Sequence, residues 1–341
     1  MPELRTDPLS GEVTIVAGER SQRPGGAPGL SPQQLEPAPL DPASDPFAEG
    51  NEDRTPPELY AVRPAGGSAN SPGWTVRVVE NLYPALTPGE GRAGDERGVP
   101  PGPRGRDAAE ELFHARPAVG AHEVIVSGPQ SVCALAQLPV EQVALAMDAW
   151  RERMRAHARS AYVVVIVNEQ RGGGASLPHT HAQLYALDFV PAAVARERER
   201  AGAYATRTMG QNLLGDLVAE EVRVGERVVA IDDEAVLIAP YASRMPYQLM
   251  LAPRRPRARF EDDGPTGAAL LHDGLRRLQR HLGASPPLNL WVRTAPRGAE
   301  HFCWRIDIAP RLVHLAGLEL ATGVNLNIVA PEHAAAVLRA A

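Results

Sequence analysis

The amino-acid sequence predicts an α+β protein built from two related halves, each an antiparallel sheet with flanking helices. Three observations lead to this prediction: short apolar segments alternate with polar residues, helical periodicity occurs in each half, and the order strand, strand, helix, strand, strand occurs twice. The halves are predicted to meet near residue 190, which gives an N-terminal part of residues 1–190 and a C-terminal part of residues 191–341.

The predicted elements of the first half follow one another closely. Alternating apolar residues predict strands at 74–79 and 123–126, and the periodicity of residues 140–160 predicts a helix. An apolar, β-branched run at 161–167 predicts a buried strand that leads into a glycine turn. After this turn the chain is predicted to return as a paired strand over 179–187.

The second half is predicted to repeat this order of elements. In the first half, two segments have no predicted helix or strand. Residues 24–57 and 88–106 are rich in proline and glycine with little periodicity, which predicts irregular structure. In the second half the predicted elements are a hairpin over 227–231 and 235–239, a strand over 247–251, a helix over 267–282, and strands over 288–293 and 304–308.

Composition excludes several classes of function. A net charge of −6 gives no general attraction to nucleic acid or anionic membranes, and no apolar run approaches the roughly 20 residues of a membrane span. The N-terminus lacks the apolar core of a signal peptide, which predicts a cytoplasmic protein. Cys133 and Cys303 are too few for a disulfide framework or a thiolate zinc site, and all 35 basic residues are arginine, which excludes lysine-based mechanisms.

The segment from Ser176 to Gln183 is the most informative motif. His179, His181 and Gln183 occupy alternate positions, so in an extended strand their side chains would lie on one face. The glycines at 172–174 can present backbone N–H groups to an anion, which favours an imidazole held against a phosphate. An isolated pair of this kind also fits a metal site or an ordinary surface, and a glycine cluster also fits a flexible connector.

Further motifs occur in one order along almost the whole chain. They are found at 7–12, 20–24, 81–86, 122–126, 168–183, 240–247 and 322–332. Together they resemble the galactose-1-phosphate uridylyltransferase family, the nucleotidyltransferase branch of the histidine-triad superfamily. The resemblance implies that both halves are histidine-triad-like.

The resemblance also implies a covalent mechanism and the residues that perform it. His181 would attack the α-phosphorus of a nucleotide sugar, and a phosphorylated small-molecule acceptor would then take the nucleotide. Gln183 would donate to a phosphoryl oxygen, while Gly174 and Ser176 would add backbone and hydroxyl donors. Taken alone, Gln183 also fits an amide bonded to backbone at a strand edge.

Other residues match binding positions of the family. Asn81 and Asn168 match nucleoside-contacting asparagines, although both also fit turn chemistry. Arg20 and Arg23 match arginines that reach phosphate from a neighbouring subunit, which implies a homodimer, although they also fit a solvated arm. The resemblance makes His179 a zinc ligand in some relatives; here it is expected to contact substrate or orient its neighbour. His122 fits the pattern without an assigned role.

The sequence departs from the metal-containing members of the family. Where these relatives carry two cysteines and a histidine as zinc ligands, this chain has Asp45, Ala48 and Ser131, so that His179 alone remains. One imidazole cannot hold structural zinc. At a second metal site Glu197 remains, whereas the expected histidines are replaced. The replacing residues are Arg293, Cys303 and Arg305.

These replacements predict a protein without metal or other cofactors. Two guanidinium groups would repel a divalent cation, and they could instead pair with Glu197 or bind substrate phosphate.

The sequence does not identify the molecule that accepts the nucleotide. Residues 322–327 lack the aromatic and acidic groups that hexose-phosphate enzymes of the family carry there. The leading hypothesis is transfer of UMP between a UDP-sugar and a sugar 1-phosphate, as with UDP-glucose and galactose 1-phosphate. The alternatives are phosphorolysis of a nucleotide sugar or dinucleoside polyphosphate, hydrolysis by water, and a nucleotide-binding protein without turnover.

Overall fold

Ten strands of the described residues form one continuous antiparallel sheet. The computed structural model describes residues 1–22, 40–89, 113 and 115–341. A second sheet has three strands. In chain order the strands are β1 (Glu3–Thr6), β2 (Val13–Val16), β3 (Glu58–Val62), β4 (Val76–Glu80), β5 (Gly120–Val126), β6 (Tyr162–Glu169), β7 (His181–Leu187), β8 (Val228–Ile231), β9 (Ala235–Ile238), β10 (Leu249–Pro253), β11 (Leu288–Arg293), β12 (Arg305–Pro310) and β13 (Asn325–Asn327).

The strand order of the large sheet is symmetric about its centre. From edge to edge the order is β3-β4-β5-β7-β6-β11-β12-β10-β9-β8, so that β6 and β11 form the central pair. Each half contributes three strands, a helix and two further strands in the same sequence. The predicted α+β class with two related halves is therefore confirmed, and the sheets of the two halves are joined edge to edge.

Two long helices cover one face of this sheet. Helix α1 packs on β4 to β7, helix α4 packs on β8 to β10, and the two helices contact each other. The main core lies between them and the sheet, and each large apolar side chain buried there contributes about 1.5–3 kcal/mol. In the described residues the helices are α1 (Val140–Ala156), α2 (Ala192–Arg207), α3 (Leu213–Val224), α4 (Ala268–Leu282), α5 (Gly317–Thr322) and α6 (Pro331–Ala340).

The alternation of β7 directs its polar side chains away from this core. Ala182 and Leu184 are fully buried in the core beneath α1. Because successive side chains of a strand point to opposite faces, His181 and Gln183 lie on the other face of the sheet. The candidate site therefore lies on the face opposite α1.

The three-stranded sheet brings the N-terminal strands beside the end of the chain. Strand β2 pairs with β1 on one side and with β13 in parallel on the other. The buried Asn327 of β13 donates from its Nδ2 to the backbone oxygen of Ser243 at 3.0 Å. The predicted boundary between the N-terminal and C-terminal halves, near residue 190, stays a prediction.

Several local predictions differ from the structure. The first helix ends at Ala156 rather than near residue 160, and helices α2 and α3 were not predicted. His179 precedes the strand that was expected to contain it, because the backbone N–H of Thr180 bonds to the Val132 oxygen instead of joining the ladder. Residues 24–39 and 90–106 of the segments predicted to be irregular lie outside the described residues.

Candidate active site

His181 is a buried residue at the start of β7, with 5% of its surface exposed. Its Nδ1 lies 2.7 Å from the backbone oxygen of His179. Because a carbonyl oxygen only accepts hydrogen bonds, Nδ1 carries the hydrogen and the lone pair of the neutral ring is on Nε2. Burial lowers the pKa of His181. The ring is therefore a neutral imidazole that can act as a nucleophile through Nε2.

Gln183 lies on the same face, and its amide is oriented by two neighbours. Its Oε1 is 2.9 Å from His122 Nε2 and 3.1 Å from the Tyr185 hydroxyl, which donates to it. The backbone N–H of Ala85 donates to His122 Nδ1 at 3.1 Å, so the hydrogen of the neutral ring is on Nε2 and is donated to Gln183. Burial lowers the pKa of His122. The amide nitrogen of Gln183 is thereby turned away from these donors.

This arrangement gives His122 a role that the sequence did not reveal. Its ring stacks on Tyr185 with 4.1 Å between ring centroids, and its Nε2–H fixes which end of the Gln183 side chain accepts. Within the described residues no partner occupies the Gln183 amide nitrogen. Gln183 can therefore donate to a ligand oxygen beside His181.

The two predicted asparagines lie on either side of β7. Asn81 follows β4, and its Nδ2 lies 3.1 Å from His122 Nε2, where the two groups make no hydrogen bond because both nitrogens carry hydrogen. Asn168 belongs to β6 rather than to a turn, and its Oδ1 accepts from Asn289 Nδ2 at 2.8 Å. Asn289 of β11 was not predicted, although its alternation with apolar Leu288 and Leu290 placed it on this face.

The loop between β6 and β7 carries the glycines and Ser176. A Cβ at Gly173 would lie 2.5 Å from the backbone oxygen of Leu288, and Gly174 has a φ of 88°, which favours glycine. Gly174 and Ser176 are exposed. Backbone geometry therefore accounts for these two glycines, and the predicted phosphate contacts of Gly174 and Ser176 stay proposals.

The predicted phosphate-binding arginines lie near the N-terminus. Arg20 is exposed in a short 3-10 helix, Gly18–Gln22. Arg23 lies outside the described residues. Their predicted role across a subunit boundary stays a proposal.

The residues at the zinc position do not fit a zinc ion. His179 Nδ1 lies 2.6 Å from Asp45 Oδ2, and His179 Nε2 lies 2.9 Å from the Gly128 oxygen. Ser131 Oγ donates to the same Asp45 oxygen at 3.0 Å, and Ala48 has no side-chain donor atom. Both ring nitrogens of His179 therefore face protein oxygens, and tetrahedral zinc would lack ligands.

At the second metal position a guanidinium pairs with the remaining carboxylate. Arg305 binds Glu197 through two hydrogen bonds of 3.0 and 3.1 Å and donates to Asp307 at 3.0 Å. Arg293 lies 3.5 Å from Glu197. Burial raises the pKa of Cys303 to about 11, so its thiol stays protonated. This donor set binds an internal cation, Arg305, and does not fit a divalent metal.

Two further findings apply to the described residues. No group of three or more His, Cys, Asp or Glu residues in them is arranged to hold a metal ion. In the same residues no helix is both long and apolar enough to cross a membrane.

Comparison with protein families gives two matches. Residues 59–191 match the N-terminal domain of galactose-1-phosphate uridyl transferase. Residues 131–340 match DUF4921, a domain of unknown function.

Individual relatives extend these matches over most of the chain. The ADP-glucose phosphorylase of Arabidopsis thaliana is 28% identical and covers 99% of this chain and 92% of the relative. A probable galactose-1-phosphate uridylyltransferase of Drosophila melanogaster is 26% identical and covers 88% of this chain and 80% of the relative. The crystal structure of an Arabidopsis thaliana ADP-glucose phosphorylase with bound ADP-glucose has a TM-score of 0.78 at 25% identity, covering 100% of this chain and 99% of that one.

Proposed function

Because this chain belongs to the galactose-1-phosphate uridylyltransferase family, we propose that it is a nucleotidyltransferase that acts through a covalent bond to His181. The observation that carries the proposal is the 2.7 Å contact between His181 Nδ1 and the His179 carbonyl. This contact keeps the lone pair on Nε2, as nucleophilic attack on phosphorus requires. The donor in this proposal is a nucleotide sugar.

In the first half-reaction, His181 Nε2 attacks the α-phosphorus of the nucleotide sugar. A phosphorus–nitrogen bond forms, the bond from that phosphorus to the bridging oxygen breaks, and sugar 1-phosphate leaves with the electron pair. The Gln183 amide donates to a non-bridging oxygen as charge develops on it. Gly174 and Ser176 are proposed to add backbone and hydroxyl donors to the same phosphate.

In the second half-reaction, a phosphate oxygen of the acceptor attacks the nucleotidyl group. The phosphorus–nitrogen bond breaks and His181 returns to the neutral form. A sugar 1-phosphate acceptor gives a new nucleotide sugar, whereas inorganic phosphate gives a nucleoside diphosphate. Either acceptor produces ping-pong kinetics.

The remaining binding residues complete this proposal. Asn81 and Asn168 contact the nucleoside, which is supported by their positions beside the strand of His181. Arg20 and Arg23 bind phosphate from the neighbouring subunit of a homodimer. His179 makes no substrate contact here, because both its ring nitrogens face protein oxygens.

Two acceptors are proposed, each with its own support. Transfer of UMP between a UDP-sugar and a sugar 1-phosphate follows from the family, and relatives named galactose-1-phosphate uridylyltransferase support it. Phosphorolysis of an ADP-sugar is the second candidate, because the similarity to ADP-glucose phosphorylase extends along nearly the whole chain. Both candidates share the first half-reaction.

One experiment tests the proposal and separates the acceptors. The protein is incubated with UDP-glucose or ADP-glucose labelled in the α-phosphate, and label that is acid-labile and base-stable is measured on the protein. The labelled protein is then chased with galactose 1-phosphate or inorganic phosphate. Release by galactose 1-phosphate supports the uridylyltransferase, and release by phosphate alone supports the phosphorylase. If neither donor labels the protein while both bind, it is a nucleotide-binding protein and the proposal is wrong.

The lowered pKa of His181 predicts how labelling depends on pH. Only the neutral ring attacks phosphorus, and burial moves its pKa below the ordinary value of 6.5. We therefore expect the labelling rate to stay constant from about pH 8 to about pH 6.5 and to fall only at lower pH. Quenched-flow measurement of the first half-reaction checks this. A rate that already falls between pH 8 and pH 7 contradicts the assignment of a depressed pKa.

His122 provides a prediction about the orientation of Gln183. In His122→Phe the ring can still stack on Tyr185, but the hydrogen bond to Gln183 Oε1 is lost. The amide is then free to turn its oxygen toward the phosphate, and we expect labelling to slow by about tenfold or more.

Tyr185→Phe is a comparison variant, because it removes only the second hydrogen bond to the same oxygen and retains the one from His122. The conservative variant His122→Gln retains an amide donor and should recover part of the rate. Equal rates for wild type and His122→Phe would show that His122 does not position Gln183.

A further inference from the structure

Asp45 and His179 form a buried pair 134 positions apart in the chain. Their side chains are 1% and 0% exposed, and the distance from Asp45 Oδ2 to His179 Nδ1 is 2.6 Å. Asp45 also accepts from Ser131 Oγ and, through Oδ1, from the backbone N–H of Phe47 at 2.9 Å. The carboxylate is thus surrounded by hydrogen-bond donors.

The partners of the His179 ring determine its charge. Nε2 faces the Gly128 carbonyl at 2.9 Å, and a carbonyl oxygen can only accept. Nδ1 faces a carboxylate that already accepts from Ser131 and Phe47. With Asp45 ionised, a lone pair on either nitrogen would face an oxygen lone pair, so both nitrogens carry hydrogen. His179 is then an imidazolium ion beside an ionised Asp45.

The charge state of Asp45 agrees with this geometry. Burial alone would raise the pKa of Asp45, but the hydrogen bond from His179 and the backbone N–H of Phe47 hold it below its ordinary value. A buried carboxylate of this kind requires a cation, and His179 is the cation in contact with it.

We propose that the Asp45–His179 ion pair takes the place of a structural zinc ion, and that Asp45 is a positioning residue for His181. The pair joins three segments: the loop of Asp45 to Phe47, the loop of Gly128 to Ser131, and the residues that precede β7. The carbonyl of His179 holds His181 Nδ1, so fixing the ring of His179 also fixes the nucleophile. This second part rests on the proposed function.

The ring contacts extend the same connection. Phe47 lies edge-on to both imidazoles, with ring centroids 6.1 Å from His179 and 5.1 Å from His181. Its backbone N–H is one of the donors to Asp45. Loss of the Asp45 side chain would therefore free the loop that packs against the nucleophile, and it would also remove the counter-ion of His179.

Two measurements on the wild-type protein test the ion pair without any assay of activity. Nitrogen NMR at about pH 7 should show hydrogen on both ring nitrogens of His179, the signal being assigned by its loss in Asp45→Asn. Elemental analysis should find no stoichiometric zinc, and a chelator should leave the thermal unfolding midpoint unchanged. A single ring hydrogen, or one zinc per chain, overturns the proposal.

A variant tests the positioning role. Asp45→Asn keeps the shape of the side chain but removes its charge, and we expect nucleotidyl labelling to slow by about tenfold with little change in donor affinity. Asp53→Asn is the matched control, since Asp53 is an exposed carboxylate close in sequence and should leave the rate unchanged. Unchanged labelling in a folded Asp45→Asn protein overturns the positioning role. If wild type itself is never labelled, the proposed function fails, while the NMR and metal measurements still decide the ion pair.

Discussion

Replacing His181 with asparagine should abolish nucleotidyl transfer, with turnover reduced by about 10⁴-fold or more. Asparagine can still fill part of the buried space at the start of β7, but its amide nitrogen has no lone pair for attack on phosphorus. Gln183, its orienting neighbours and the loop donors all remain in this variant. Binding of the nucleotide sugar should therefore persist while formation of the covalent intermediate is lost.

The measurements for this variant are steady-state turnover, covalent labelling and equilibrium binding of the donor. His314→Asn is a suitable control, because it is the same substitution at an exposed position. A His181→Asn protein that retains more than about a hundredth of the wild-type turnover would show that another group is the nucleophile. A folded variant that no longer binds the donor would give His181 a role in binding instead.

The largest effect on stability is expected at Arg305. This side chain is 7% exposed and binds two carboxylates that are equally buried, Glu197 and Asp307. In Arg305→Met both acids lose their main cation, and Arg293 at 3.5 Å can compensate for only part of the loss. Removing one partner of a buried ionic group costs about 3–5 kcal/mol of unfolding free energy.

Urea unfolding at neutral pH measures this difference. Arg223→Met provides the surface control, since its ion pair with Glu220 is solvent-exposed and should affect stability little. Replacing these three charges together, as Glu197→Gln, Arg305→Met and Asp307→Asn, should recover part of the loss because neither carboxylate is left without a cation, although Arg293 loses its contact with Glu197. If Arg305→Met is as stable as wild type, the internal cation is not a structural element.

The prediction of the fold succeeded where local pattern decides the structure. Strand β6 is a β-branched run with buried side chains, and helices α1 and α4 each bury one apolar stripe. These patterns are visible in the order of the residues themselves. The pairing of β6 with β11, which joins the sheets of the two halves, has no comparable sequence pattern, because it depends on which strand edges meet. Helix α2 was not predicted because most of its positions are Arg, Glu or small residues. Its few buried apolar positions, Val194 and Ala201 among them, give only a weak helical periodicity.

The candidate site was predictable in part for similar reasons. Alternation placed His181 and Gln183 on one face, and this holds in β7. The role of His122 depends on the Ala85 N–H, which lies 37 positions away and reaches Nδ1 only after folding. The same is true of His179, whose contacts with Asp45 and Gly128 connect distant loops. Residue identity gave the chemistry of these groups, whereas long-range contacts decide their tautomers and charges.

The most direct test of the account is to locate the nucleotidyl group on the protein. After a brief reaction with ADP-glucose or UDP-glucose, the protein is digested under basic conditions, and the peptide that spans His179 and His181 is sequenced by mass spectrometry. We predict one nucleoside monophosphate bound to His181 and none bound to His179. A nucleotide on His179, on another residue, or on no residue despite measurable turnover would contradict covalent catalysis by His181.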